Sequence, residues 1–223
     1  AAWCFADIVS TRWTEGDYPL DAVVDAVNEN TALIAVVTPN NPTGGVISGA
    51  ALRRLAKRCP NRMLMVDCAY AEFADEDVTQ VALSLPNAVV FRTLSKALGL
   101  AGLRVGYAMG PASAIAKLRA AGMPYPVSAP SLKLAKTALE RRLESRQYIE
   151  RVRVERSILT EMLTDYGARV ASSQGNFILA RTPKALWWRD ALAGFGIGVR
   201  VWPDNDCLRD AVRITCPGNR SDF

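Results

Sequence analysis

Lys96 stands in FRTLSKALGLAGLRVGY (residues 91–107) among small and apolar residues, with Arg104 eight positions on. A lysine in a half-buried pattern is costly unless its charge is neutralised or its amine is used. A positioned amine can bond a carbonyl carbon and carry a proton. Asp67 closes the apolar run MLMV (63–66) and offers a carboxylate for a cationic nitrogen. Tyr70 and Asn41, the latter in TPNNPTGG (38–45), offer a phenol and an amide to an anionic oxygen. Thr93 and Ser95 add hydroxyls and Arg104 a guanidinium fork, the groups that hold a phosphate. Singly, each has an ordinary explanation. NNPTGG is turn composition, Asp67 or the hydroxyls can cap a helix, Tyr70 can be a half-buried aromatic, Arg104 can pair with a surface acid, and Lys96 can snorkel to water. Together they are the groups that one phosphorylated aldehyde with a cationic ring requires.

Such residues meet only if the chain delivers strand ends to one edge. Leu33–Val37, Met63–Val66, Ala88–Arg92 and Arg104–Met109 read as strands, and Ser48 as the cap of a helix to about Cys59 with Leu52 and Leu55 inward. Strands alternating with helices imply crossovers and a mostly parallel sheet, and continuous apolar strands imply cover on both faces. In such α/β sheets ligands bind beyond the carboxyl ends of the strands. After Gly110 the pattern changes. A short helix over Pro111–Ala121 is followed by a long or broken helix from about Ser131 to Tyr166. Strand-like NFILAR, a helix over Lys184–Ala193, and strand-like GIGVRVW and VRITC complete a smaller α+β unit. The expected division is a large ligand-binding α/β domain over residues 1–145 and a small domain over 146–223.

The chain has 223 residues, half of them hydrophobic, enough for a sizeable core. No apolar run is long enough to span a membrane, and no basic segment precedes an apolar one as in a secretory leader. The net charge of +5 is spread out. Its densest part, RRLESRQYIERVRVER (141–156), alternates acids with bases and reads as a solvated helix face, so no nucleic-acid partner is expected. The five cysteines are odd in number and not at zinc spacing, which suggests a reduced, cytoplasmic protein. Histidine is absent. That removes Ser–His–Asp and Cys–His nucleophiles and histidine-ligated metals, and no metal is expected.

The ligand that needs all these groups is pyridoxal 5′-phosphate. TPNNPTGG (38–45), VDCAYAEF (66–73), FRTLSKALGLAGLRVGY (91–107) and VRITCPGNR (212–220) then resemble, in order and spacing, the fold-type I aminotransferases, most of all the histidinol-phosphate aminotransferase group. The resemblance implies that Lys96 bonds the cofactor's aldehyde and later moves the substrate's proton. It implies that Asp67 pairs with the ring nitrogen, that Asn41 and Tyr70 bind the phenolic oxygen, and that Thr93, Ser95 and Arg104 bind the phosphate. Arg213 would hold a substrate carboxylate or phosphate, Arg200 would add a second cation, and Asn176 would lie nearby. The implied partners are a phosphorylated or aromatic amine or amino acid as donor, with histidinol phosphate favoured, 2-oxoglutarate as acceptor and a second copy of the chain in a homodimer. A decarboxylase of a phosphorylated amino acid with this fold, or a non-catalytic cofactor-binding regulatory domain, are the alternatives.

The chain also departs from that group. The group's N-terminal arm, first sheet strands, glycine-containing phosphate loop and last helix have no counterpart here. The large domain is therefore expected to be incomplete at its N-terminus and the small one at its C-terminus. Trp3 or Phe5 is a candidate for the aromatic ring that the group lays over the cofactor.

Overall fold

The computed structural model describes residues 6–141, 143–219 and 221–223. Trp3 and Phe5 lie outside the described residues. In chain order the elements are α1 (Leu20–Asp25), β1 (Leu33–Val37), α2 (Gly49–Arg58), β2 (Met63–Asp67), α3 (Thr79–Leu83), β3 (Ala88–Thr93), β4 (Gly106–Met109), α4 (Ala112–Ala121), α5 (Ala129–Glu140), α6 (Leu143–Asp165), β5 (Arg169–Val170), β6 (Phe177–Arg181), α7 (Ala185–Gly194), β7 (Arg200–Val201) and β8 (Ala211–Thr215). Short 3₁₀ turns cover Ala71–Phe73 and Ala101–Leu103.

The first sheet has the order β1-β2-β3-β4. The first three strands are parallel, with α2 and α3 as the crossovers that parallel pairing requires. Ser48 caps α2 by accepting from the Ala51 amide at 3.2 Å, and Leu52 and Leu55 bury one face of the helix against the sheet. Ile34, Val36, Leu64, Val66, Ala88 and Val90 belong to the same core. Strand four differs from expectation. It starts at Gly106, so Arg104 lies outside it with φ +55, and it runs antiparallel to β3. The reason is length: residues 94–105 hold one 3₁₀ turn and no helix long enough to carry the chain back for a parallel strand.

The second sheet is antiparallel throughout, in the order β5-β6-β8-β7, with α6 against β5 and β6 and α7 against β7 and β8. GIGVRVW narrows to a strand at Arg200–Val201 alone, and the long helical pattern is broken into α5 and α6. The boundary expected at residue 145 falls in the first turn of α6.

The two sheets meet over a hydrophobic cluster of Tyr70, Phe73, Ala97, Val152, Phe177 and Cys216. Polar contacts fasten its rim. From α6, Arg153 donates to the Ala74 carbonyl at 2.8 Å and Arg156 to the Gly175 carbonyl at 2.9 Å. Gln174 accepts from the Asp75 amide and donates to the Asp75 carboxylate, both at 2.7 Å.

Arg92 on β3 is nearly buried and ties the strand to the segment after Tyr70. It donates to Glu72 at 2.8 Å, to Asp77 at 2.8 Å and to Thr79 at 2.7 Å. Removing it leaves Glu72 without a partner in a poorly solvated place and takes one of the two hydrogen-bonding partners from the more exposed Asp77. Arg92→Met should cost about 3 kcal/mol, or roughly 6–12 °C in Tm by calorimetry. The Asp77 carboxyl is partly desolvated, which alone would raise its pKa, but hydrogen bonds from Thr79 and Arg92 hold it below the usual carboxylate range. A carboxyl depressed in the folded state adds stability above its unfolded pKa and loses it as pH falls through the folded value. Stability should therefore decline below about pH 4, where unfolded aspartate takes up protons. Denaturant melts of Asp77→Asn should show a shallower acid slope.

Candidate functional site

The register of the parallel strands assembles the site. Val37 pairs with Asp67, and Asp67 with Phe91, so β1 and β2 end level and β3 runs two residues further, to Thr93. The segments beyond these ends carry Asn41, Asp67 with Tyr70, and Thr93 with Ser95 and Lys96. The antiparallel return of β4 then pairs Gly106 with Thr93 and brings the 94–105 loop, with Arg104, back to that edge.

Asp67 is half-buried and its Oδ1 accepts from the Ala69 amide at 2.9 Å, which shapes the turn that carries Tyr70. Tyr70 is buried, and the Lys96 amine lies 5.3 Å from the centre of its ring. Thr93 and Ser95 are joined through their hydroxyls at 2.9 Å, and the Ser95 amide donates to Thr93 Oγ1 at 3.1 Å. Arg104 is exposed and gives one donor to the Ala101 carbonyl at 3.0 Å. The structure therefore gathers Lys96, Tyr70 and Asp67 with the hydroxyl pair and Arg104 along a single edge. Burial pushes the Cys68 thiol up to about 12 and the Cys216 thiol up to about 12, so neither is a thiolate at neutral pH.

The second sheet contributes cations from one face. Arg213 on β8 lies directly opposite Arg200 on β7, and opposed residues of an antiparallel pair project to the same side. Trp202, two residues past Arg200, shares that side by the alternation of the strand. The Arg200 guanidinium lies 5.9 Å from the Trp202 ring. Arg213 donates to Asn41 Oδ1 at 2.7 Å, which joins the second sheet to the first. Arg213, Arg200, Trp202, Asn41 and Pro42 line a cleft of about 350 Å³. Like charges placed directly across a strand pair repel. Among the described residues, no carboxylate comes within ion-pair range of Arg200, Arg213, Arg104 or Lys96.

Asn176 is buried and hydrogen-bonded to the Tyr148 side chain; its carbonyl accepts from the Cys216 amide at 2.9 Å. Burial raises the Tyr148 phenol above its ordinary pKa, against the lowering effect of that Asn176 bond. Two residues of the site escape a reading of the sequence by motif. Trp202 is signalled only by its spacing from Arg200. Phe177 comes directly after Asn176 in what reads as an ordinary apolar strand.

The aminotransferase class I and II family matches residues 2–222. An aromatic amino acid aminotransferase of Nocardia farcinica is 39% identical over 206 residues, which cover 89% of this chain and 56% of that protein. Histidinol-phosphate aminotransferase 1 of Legionella pneumophila is 34% identical over 211 residues, which cover 92% of this chain and 57% of that protein. The chain thus spans a little over half the length of these relatives. Among solved structures, the histidinol-phosphate aminotransferase of Sinorhizobium meliloti in complex with pyridoxal-5′-phosphate superimposes with a TM-score of 0.82 at 24% identity, over 93% of this chain and 59% of that one, a likeness of fold. With the match running through nearly every residue, this chain belongs to the aminotransferase class I and II family.

Proposed function

We propose that this chain forms the substrate- and cofactor-binding part of a pyridoxal-phosphate-dependent aminotransferase. The observation that carries the reading is the unneutralised charge of the edge: Lys96, Arg104, Arg200 and Arg213 lack a carboxylate in ion-pair range among the described residues, and Asp67 ends β2 at the same carboxyl edge of the sheet as Lys96. A phosphorylated cofactor and an anionic substrate suit that excess, and the cofactor's cationic ring nitrogen suits Asp67. The donor set therefore fits the group.

When bound, pyridoxal 5′-phosphate supplies an aldehyde that takes up amino groups and a conjugated ring that disperses negative charge from the reacting carbon. The chain's residues then divide the work. Lys96 Nζ would bond the aldehyde carbon and, as a free amine, would carry the proton from the donor's α carbon to the carbon of the cofactor that had been the aldehyde. Asp67 keeps the ring nitrogen protonated. Tyr70 and Asn41 donate to the phenolic oxygen. Thr93, Ser95 and Arg104 bind the phosphate oxygens. Arg213 binds the substrate's carboxylate with Asn41 beside it, Arg200 takes a second anionic group, and Asn176 supports this pocket from its buried position. The acceptor is a 2-oxo acid. Residues 1–145 form the cofactor-binding domain and 146–223 the small domain in this reading. A homodimer belongs to it too, supported by exposed apolar residues along α4, α5 and their link, including Leu118, Met123, Tyr125, Leu132 and Leu134. The described cysteines are free, which suits a reducing, cytoplasmic setting. Among the described residues no helix is long and apolar enough to cross a membrane.

Borohydride reduction of the cofactor-loaded protein should fix the cofactor's mass on the peptide that contains Lys96. Lys96→Ala should lose that adduct and lower transamination by on the order of a thousandfold or more; retained activity would sink the mechanism. Cofactor capture without amine exchange would instead indicate a binding domain without turnover.

For the donor, histidinol phosphate is favoured, because Arg200 places a second guanidinium opposite Arg213. A half-reaction screen with histidinol phosphate, phenylalanine, glutamate and threonine phosphate tests this. Arg200→Ala should weaken the phosphorylated donor by about ten- to hundredfold, the value of a hydrogen bond to a charged group, and leave phenylalanine nearly unchanged. Equal losses on both donors would point to an aromatic amino acid as the natural donor. Carbon dioxide release from threonine phosphate would move the protein to the decarboxylases of this fold.

A further inference from the structure

We propose that Phe177 is a positioning residue of this site: its ring seats the Arg213 guanidinium and the Tyr70 ring together, and binding of the substrate's carboxylate depends on that seat. The inference rests on the functional reading above and adds to it a residue outside the motifs.

Phe177 opens β6, is almost completely buried, and pairs with Thr215 of β8. Arg213 lies two residues from Thr215, so by alternation it is the diagonal neighbour of Phe177 on one face of the sheet. The Arg213 guanidinium lies 5.3 Å from the centre of the Phe177 ring. The Tyr70 ring meets the same ring edge to face, with centres 5.2 Å apart. The Lys96 amine lies 5.3 Å from Tyr70 on the next link. A continuous series of contacts thus runs from the lysine amine through two rings to the guanidinium and on to Asn41.

The chemistry of the seat explains why it is a ring. Arg213 Nε is buried and has no hydrogen-bond partner. The guanidinium rests between Asn41 Oδ1 and the Phe177 face. A carboxylate in the position of Phe177 would orient the guanidinium but neutralise it and exclude an anion. A π face attracts the cation without using any N–H donor, so the Nη donors not given to Asn41 stay available for a carboxylate in the cleft. Gly175 keeps the ring in place: an added Cβ there would come within 2.9 Å of the Phe177 ring.

The test uses the cofactor-loaded protein and maleate, a dicarboxylate with no amino group to react, titrated through the cofactor's absorption band. Phe177→Leu keeps an apolar side chain but removes the face. It should weaken maleate binding by about tenfold and raise KM for 2-oxoglutarate in parallel, while borohydride still fixes the cofactor on Lys96. Gly175→Ala, which pushes the ring without deleting it, should weaken maleate in the same direction and serves if Phe177→Leu does not fold. A merely structural role lowers Tm and leaves maleate affinity per folded molecule unchanged; that result in the folded variant overturns the proposal. If borohydride fixes no cofactor on Lys96 in the unsubstituted protein, it is the functional reading that fails, and the proposal falls with it.

Discussion

The register that brings the carboxyl ends of β1, β2 and β3 within two residues of one level is the constraint on which the rest of the structure depends. Each of these strands lies in a parallel sheet whose core packs Ile34, Val36, Leu64, Val66 and Val90 out of water. Polar side chains cannot be carried in the middle of such strands without partners. They are therefore displaced to the carboxyl edge, where the backbone turns and side chains from different strands converge. Asp67 is the last residue of its strand, Thr93 the last of the next, and Lys96 and Asn41 lie in the turns just beyond. The pairing of Val37 with Asp67 and of Asp67 with Phe91 brings residues tens of positions apart in the chain to the same level.

That edge is held from below by charge and closed from above by the second sheet. Arg92 fastens β3 to Glu72 and Asp77, and so holds the segment after Tyr70 against the strand that leads to Lys96. Arg153 and Arg156 reach from α6 to carbonyls on both sides of the seam, satisfying backbone groups that the junction would otherwise bury unpaired. Gln174 and Asp75 close the same seam from its rim. The Tyr70–Phe177 contact forms its apolar floor. The opposed Arg200 and Arg213 are unfavourable for the protein alone. Among the described residues neither arginine has an acidic partner, an arrangement that suits the proposed anion-binding cleft, since a built-in carboxylate would compete with the ligand.

Much of this was legible in the residues. The strands of the first sheet are short apolar runs ending at turn residues, so their carboxyl ends could be located along with the groups placed there. Ser48 and the Leu52–Leu55 spacing marked α2 in the same way. Local patterns were less informative where long-range pairing decides. Arg104–Met109 read as one more strand of a mostly parallel set. Its start at Gly106 and its direction are set by the short return loop, and with them the left-handed backbone of Arg104. GIGVRVW is apolar enough for a long strand, yet only Arg200–Val201 finds a partner in β8. Asn176 is buried directly before β6, and its backbone carbonyl accepts from the Cys216 amide, a pairing between strands that the local pattern does not show.

The sequence by itself determined the chemistry: one lysine, one aspartate, a tyrosine, an amide, hydroxyls and arginines at spacings that can serve a phosphorylated aldehyde, with no histidine to offer another route. These are properties of residue type and local order, and they survive in the written chain. The tertiary structure decided which of those groups touch. Phe177 between Tyr70 and Arg213, Trp202 beside Arg200, and Arg213 on Asn41 are contacts across two sheets. They arise because burying one apolar seam fixes the orientation of both sheets at once, and that orientation is a property of packing that no local pattern encodes.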